Sequence, residues 1–326
     1  MNYQDKVYGG AEISEPVLLD VLNSSALQRL KHVNQYGTWV LVRPDFNTTR
    51  FEHSVGVMIL LKKFGADLSE QIAGLIHDVS HAAFSHVVDY LFGREKIQDY
   101  HDEFSEQIVA KTDLPGILRK HGFDIGELLN EDNFSLLKQP MPALCADRLD
   151  YFLRDGMVFR LFDKQFSERV LGDVKILDKK FIFQNLNIAQ EAAEMWLKIG
   201  EFIWSNPLQS TFFQILADAM KVGLERGIIS HEDLFGTDQE LLTKLKEIGC
   251  QEILDRLALI GPDIKIKQVD ADWDFHVFTK ARSVDPWVSR AGEIKLLSEI
   301  VPEFKKRLQD FIESRKDGYK IKILAD

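Results

Sequence analysis

The chain carries only two cysteines, Cys145 and Cys250, in 326 residues. Two thiols supply neither a disulfide framework nor a thiolate metal cage, and they fit a reducing compartment. Long apolar runs are missing as well: no stretch approaches the roughly 20 apolar residues that a membrane span needs. Met1 to Glu12 has neither the basic start nor the apolar run of a secretory leader. A soluble, cytoplasmic protein with no membrane partner is expected. Positive charge is in deficit, with 40 Lys and Arg against 51 Asp and Glu and a formal net charge of -11. Extended nucleic-acid surfaces draw their affinity from basic side chains that release counterions, so this balance argues against one. A small anion can still bind where a metal or local cations reverse the field. Glycine and proline are sparse at 20 and 9 residues, and 45% of the chain is hydrophobic, which is the composition of a folded core.

What the chain does have is helical punctuation. Val17, Leu18, Val21 and Leu22, then Leu27, Leu30 and Val33, recur at helical spacing and predict two short helices before Gly37. Thr49 and Glu52 have the offset of a capping box, so a helix should start there, carry Arg50 and His53 in its first turn and end at Gly65. Asp67 and Glu70 repeat the signature, and the next helix should run through Ile72, Leu75 and Ile76 into His77 and Asp78. Ser80 to Phe92 reads as amphipathic, and Asp102 to Ala110 as a further helix. Leu144 to Asp155 reads as a helix closed by Gly156, with Asp147, Tyr151 and Asp155 on one face. A β-hairpin is expected in Val174 to Leu186. Helices follow at Ile188 to Trp204, Leu208 to Arg226, Asp238 to Leu259 and Glu299 to Ser314, with strands at Ile264 to Val269, Phe275 to Lys280 and Tyr319 to Leu324. The expectation is a mainly α fold: a helical bundle over residues 1–173, and a helical continuation with short hairpins over 174–326, packed on it across a soft boundary.

Histidine is scarce, yet four of nine fall between His53 and His86. His77 and Asp78 offer an imidazole nitrogen beside a carboxylate, a donor set suited to Mn, Fe, Co, Ni or Zn, with Mg also a candidate. Neighbouring helical residues point about 100° apart, so both reach one ion only where the helix end meets it head on. His53 joins them as a donor, and the spacing alone leaves Asp147 and Asp150 as alternatives for the last carboxylate. Arg50, three residues before His53 on the same side, has the fork that grips phosphate oxygens. Arg148, beside Asp147, is placed to reach another phosphate. The aromatic run at Trp196, Phe202 and Trp204, with Phe212 and Phe213, reads as core or interface.

Three segments taken in order carry a resemblance: R-F-E-H-S at Arg50 to Ser54, G-L-I-H-D-V-S-H-A-A-F-S-H at Gly74 to His86, and A-D-R-L-D-Y-F-L-R-D at Ala146 to Asp155. They resemble the HD superfamily of phosphohydrolases, in the branch that includes the deoxynucleoside triphosphate triphosphohydrolases. The similarity runs from about Tyr8 to Leu171, and K-A-R-S-V-D-P at Lys280 to Pro286 is similar too. The resemblance implies an HD-domain helical bundle and four metal ligands, His53, His77, Asp78 and Asp147. Asp150 is then left to a supporting place, paired with Arg154. His81 is implied to move the proton to the leaving oxygen, held by Asp102 in the segment that also carries His101. Gln35, Tyr151 and Asp155 are implied to contact the sugar, and His86 is counted with these substrate-binding residues. The alternative for His81, His86 and His101 is the satisfaction of helix ends, and for Tyr151 a core aromatic. The implied reaction splits a deoxynucleoside triphosphate into nucleoside and triphosphate. A nucleoside monophosphate or other phosphate ester is the alternative substrate, and a non-catalytic nucleotide or metal sensor the alternative function. A homo-oligomer stays open.

Overall fold

The computed structural model describes residues 1–324. Thr49 caps the helix Arg50–Lys63 as expected: its Oγ1 accepts from the Glu52 amide at 3.2 Å, and Glu52 accepts from the Thr49 amide at 2.9 Å. Asp67 caps Leu68–Ile76 by accepting from the Glu70 amide at 2.9 Å, but the box is not closed, because Glu70 turns its carboxylate to the amides of Leu136 and Leu137. The third helix that builds the site is Ala146–Val158. It runs through Gly156 instead of ending there, because this glycine admits the Phe162 ring: an added Cβ would lie 2.1 Å from it. Gly56 performs the same service on the Arg50–Lys63 helix, where an added Cβ would meet Arg154 Nη2 at 2.0 Å and Asp150 Oδ1 at 2.2 Å. The two helices therefore approach closely with a buried ion pair between them.

Three expected helices are broken. Of Ser80 to Phe92, only Val87–Leu91 is helical. Phe84 and Ser85 take φ of 56° and 54°, a left-handed conformation that side chains beyond glycine seldom adopt. Asp238 holds that turn by accepting from the Phe84 amide, and Ser85 Oγ donates to the Asn34 carbonyl at 2.6 Å. Asp102 to Ala110 divides into Tyr100–Glu103 and Ser105–Val109. The run from Asp238 to Leu259 divides likewise, into Asp238–Glu247 and Gln251–Ala258.

The hairpin Val174–Leu177 with Lys180–Phe183 forms as expected and is extended by a parallel pairing of Ile182 with Trp287 into a four-stranded sheet that ends in Glu293–Leu296. Tyr319–Ile323 lies between Ile266–Gln268 and Phe275–Val277 in a second sheet. Unforeseen in the sequence is an N-terminal hairpin, Asn2–Asp5 with Gly9–Glu12. The fold is mainly α. Its larger core joins Val57, Leu60, Leu149 and Phe152 to Trp196, Leu197 and Phe304 from the second half. A second core packs Phe84 and Val87 on Phe213 and Leu216 of the helix Pro207–Glu225. The chemistry-bearing segments lie where these two cores meet.

Candidate metal centre and active site

His77 caps the end of Leu68–Ile76, and Asp78 lies in the turn that follows, so the helix end does meet the site head on. His77 Nδ1 sits 2.8 Å from the Gly74 carbonyl. A carbonyl only accepts, so Nδ1 carries the hydrogen and Nε2 keeps its lone pair. That Nε2 is buried, without a hydrogen bond, 3.8 Å from Asp147 Oδ1 and 3.4 Å from Asp78 Oδ1. His53 repeats the device: Nδ1 is 2.7 Å from Asp150 Oδ2, and Nε2 faces Asp147 Oδ1 at 3.2 Å. His53, His77 and Asp147 thus present donor atoms within 4.8 Å of one another. Asp78 adjoins them, with Oδ2 held by Arg50 Nη1 at 2.6 Å and 3.9 Å from His53 Nε2.

The residues present fit a divalent cation. Two imidazoles turn Nε2 inward, and their Nδ1 atoms are fixed by outer partners, the arrangement that favours metal ligation. The electrostatics agree. Burial lowers the basicity of His53, yet the carboxylates of Asp147 and Asp150 outweigh it and raise its pKa to about 10. Asp147 and Asp78 are held below the usual carboxylate range: burial opposes this, and the His53 contact with Asp147 and the Arg50 charge beside Asp78 overcome it. The centre calls for positive charge.

Asp150 is fully buried, not a helix-surface group. Besides His53 it accepts from Tyr8 Oη at 2.8 Å and from Arg154 Nε and Nη2 at 2.9 and 2.8 Å. Arg154 in turn reaches Asp5 at 3.0 Å, which ties the N-terminal hairpin to the His53 ring.

A second group, His81, His86 and His101, also gathers its ring nitrogens within 4.8 Å. His81 stacks on His101 at 3.6 Å between ring centres and meets His86 edge-on at 5.2 Å. Burial and then nearby cations hold all three neutral: Arg50 acts on His81 and Arg282 on His86, and the His101 pKa falls to about 4 mainly through burial. The expected pairing of Asp102 with His81 does not form. Asp102 is half-exposed and lies 3.3 Å from His101 Nε2 and 3.7 Å from Lys138, because the helical break at Phe104 leaves it on the rim. The carboxylate nearest His81 is instead Asp78, 3.3 Å from its Nε2, and the group is also met by Asp89, unforeseen, 2.9 Å from His86 Nδ1 and raised to about 6 by burial. Its i, i+3 spacing from His86 was the one signal for it. Arg282 Nη2 approaches His86 Nε2 at 3.1 Å. A guanidinium only donates, so His86 accepts at Nε2 and donates from Nδ1 to Asp89.

Every metal, catalytic and substrate candidate named from the sequence except Asp150 borders one cavity of about 170 Å³. Arg50 uses Nε on Ser85 and Nη1 on Asp78. Arg148 is anchored through the Ala143 carbonyl at 2.6 Å. Asp155, expected to meet a sugar hydroxyl, already accepts from Tyr36 Oη at 3.0 Å and from Trp204 Nε1 at 2.7 Å, and burial raises it to about 6. Trp204 thus packs on the core, within the core-or-interface expectation, and is also a wall of the site. A π-helical segment, Gly200–Trp204, brings it there, edge-on to Tyr151 at 4.9 Å. Lys138, Lys280 and Arg282 also border the cavity. Lys280 and Arg282 belong to the K-A-R-S-V-D-P segment, which had no assigned role in the sequence; Lys138 had no signal.

Comparison with known proteins places this geometry. The family model for the HD domain matches residues 50–155. YdhJ of Bacillus subtilis is 37% identical over 325 residues, 99% of each chain. A metal-dependent phosphohydrolase, cns2 of Cordyceps militaris, is 30% identical over 321 residues, 96% of this chain and 92% of its own. The bovine deoxynucleoside triphosphate triphosphohydrolase SAMHD1 is 29% identical over 157 residues, 41% of this chain and 26% of its own.

Proposed function

The chain belongs to the HD-domain metal-dependent phosphohydrolases, and on that premise we propose that it hydrolyses (deoxy)nucleoside triphosphates to nucleoside and triphosphate at a centre formed by His53, His77, Asp78 and Asp147. The observation that carries the reading is the pair of inward-facing Nε2 atoms on His53 and His77 beside Asp147, opening on a cavity bordered by arginines and lysines. The partial likeness to SAMHD1 supports the triphosphate. A divalent cation bound there supplies a Lewis acid for the phosphoryl oxygen and an acidified water.

The chain's own groups do the rest. Arg50 is fixed by Ser85 and Asp78, so its remaining donors are aimed without further ordering and offset charge on the phosphoryl group. Arg148 balances the next phosphate. With the phosphates bound, His81 takes up a proton from solvent and delivers it to the 5′ oxygen as water adds to the α-phosphorus and the α-phosphorus–oxygen bond breaks, the proton of that water being returned to solvent. It is kept neutral by burial and by Arg50, and the negative charge of a phosphate offsets the Arg50 part of that effect. His101 stacks on the far side of the His81 ring with Asp102 at its own Nε2, and His86 with Asp89 flanks it. Tyr151 and Gln35 border the sugar end, where Asp155 retains unused lone pairs for a hydroxyl.

One observation favours a second reading, hydrolysis of a nucleoside monophosphate or another small phosphate ester. The cavity, about 170 Å³, is smaller than the roughly 300 Å³ at which ligand pockets usually begin. The products separate the two. Purified protein is supplied in turn with Mn, Fe, Co, Ni, Zn and Mg and a panel of nucleotides, and released triphosphate and orthophosphate are resolved by ion chromatography. Triphosphate is expected, with His77→Ala and Asp147→Ala each lowering turnover at least about a hundredfold. Release of orthophosphate alone would favour the second reading, and undiminished turnover in both variants would remove the metal centre.

A further inference from the structure

Charge balance around the cavity is uneven. Arg50 faces Asp78, and Lys138 faces Glu131 at 2.9 Å and Asp102 at 3.7 Å. Among the described residues, Arg148, Lys280 and Arg282 have no carboxylate within 4.0 Å, although all three border the same space. Arg282 rests on neutral partners, Gln98 Oε1 at 2.6 Å and His86 Nε2 at 3.1 Å. Buried and half-buried cations crowded together without an anion are costly to hold, and burial with the neighbouring Arg282, Lys138 and Arg148 charges lowers Lys280 to about 8.

The segment that carries them is fixed by its backbone. The Phe278 carbonyl accepts from Tyr90 Oη at 2.6 Å, and the Arg282 carbonyl accepts from Trp196 Nε1 at 3.0 Å. Thr279 Oγ1 donates to the Trp204 carbonyl at 3.2 Å, and the Asp285 amide donates to the Pro142 carbonyl at 2.9 Å. The ordering cost of the strap is therefore met on folding, and an anion finds the cations in place.

We propose that Lys280 and Arg282, supplied by the second half of the chain, form with Arg148 a clamp for a chain of linked phosphates, so that the site selects substrates with two or more phosphates over those with one. This deepens the triphosphate reading and rests on it for the identity of the substrate; the clamp itself is tested without turnover.

The test is calorimetric titration of the full-length, metal-containing protein with inorganic tripolyphosphate and with orthophosphate, metal content being measured before and after. Wild type is expected to bind tripolyphosphate at least about tenfold more tightly than orthophosphate. Lys280→Gln and Arg282→Gln should each weaken tripolyphosphate about tenfold or more and change orthophosphate less than about twofold. Lys280→Arg, which keeps the charge, should retain most of the tripolyphosphate affinity, and thermal melts check folding. Equal wild-type affinity for the two anions, or an unchanged tripolyphosphate affinity in Lys280→Gln, overturns the clamp. Discrimination between the anions without nucleotide turnover leaves the clamp standing and removes the triphosphohydrolase reading. Triphosphate release with Lys280→Gln binding unchanged does the reverse.

Discussion

At the scale of single residues, the site is built by hydrogen bonds that fix which nitrogen of each imidazole carries the proton. Gly74 does this for His77, Asp150 for His53, and Arg282 for His86. The sequence shows donor types and spacing, and His53, His77, Asp78 and Asp147 could be singled out from these together with the family pattern. Partners that arrive from distant segments leave no such trace. Asp238 is the clearest: it accepts from the amides of Asn34 and Phe84, across more than a hundred residues. Burial raises its carboxyl to about 6, against the pull of those two amides. In the folded protein Asp238 keeps its proton to about pH 6, and in the unfolded chain only to about 4. Between these values the folded state binds more protons, so stability falls as pH rises. Measured against Asp238→Asn by urea unfolding, wild type should lose up to about 2 kcal/mol between about pH 4 and pH 7. Parallel pH profiles for the two proteins would contradict this. The constant offset from the substitution itself does not enter the comparison.

At the scale of elements, the boundaries set by local chemistry were legible and those set by tertiary contacts were not. The capping box at Thr49 and the cap at Asp67 act within one turn of backbone, and both helices begin where the sequence puts them. Ser80 to His86 has an amphipathic pattern, yet Asp238, Arg29 and the Leu234 carbonyl claim its backbone. Arg29 Nη2 donates to the carbonyls of both Val79 and His81 at 2.8 Å. Bonds of this kind outweigh a weak helical preference. Trp204 packs on the larger core as the pattern suggests, and its second place, beside the cavity at the end of the π segment, is what the pattern does not show. Gly56 shows how tightly the metal-bearing helices are joined. Gly56→Ala drives a methyl into the Arg154–Asp150 pair, and thermal or urea unfolding should show a loss of about 3 kcal/mol or more. A change below about 1 kcal/mol would mean that the helices slide apart easily.

At the scale of the whole molecule, the mainly α class, the Val174–Phe183 hairpin and the strands of the three-stranded sheet follow from patterns in the chain, whereas the strands Trp287–Arg290 and Glu293–Leu296 and the joining of its halves do not. Phe152 stacks on Trp196, and the Lys280–Arg282 strap reaches back to the first-half histidines, contacts that no local periodicity encodes. The N-terminal hairpin was invisible for the same reason: its strands are four residues each, and Asp5 is held in place by Arg154, 149 positions away. That hairpin makes a reporter of the centre. Asp5 Oδ1 accepts from the amides of Val7 and Tyr8 at 2.7 and 3.0 Å, its Oδ2 meets Arg154, and Arg154 meets the Asp150 that steers His53. Coupling of this sort is reciprocal, so what steadies His53 also steadies the hairpin. Loading the protein with Mn or Zn should slow deuterium uptake at Val7 and Tyr8, read by mass spectrometry. In Asp150→Ala the two ends lose their common partner, and metal should leave those amides exchanging at their metal-free rate.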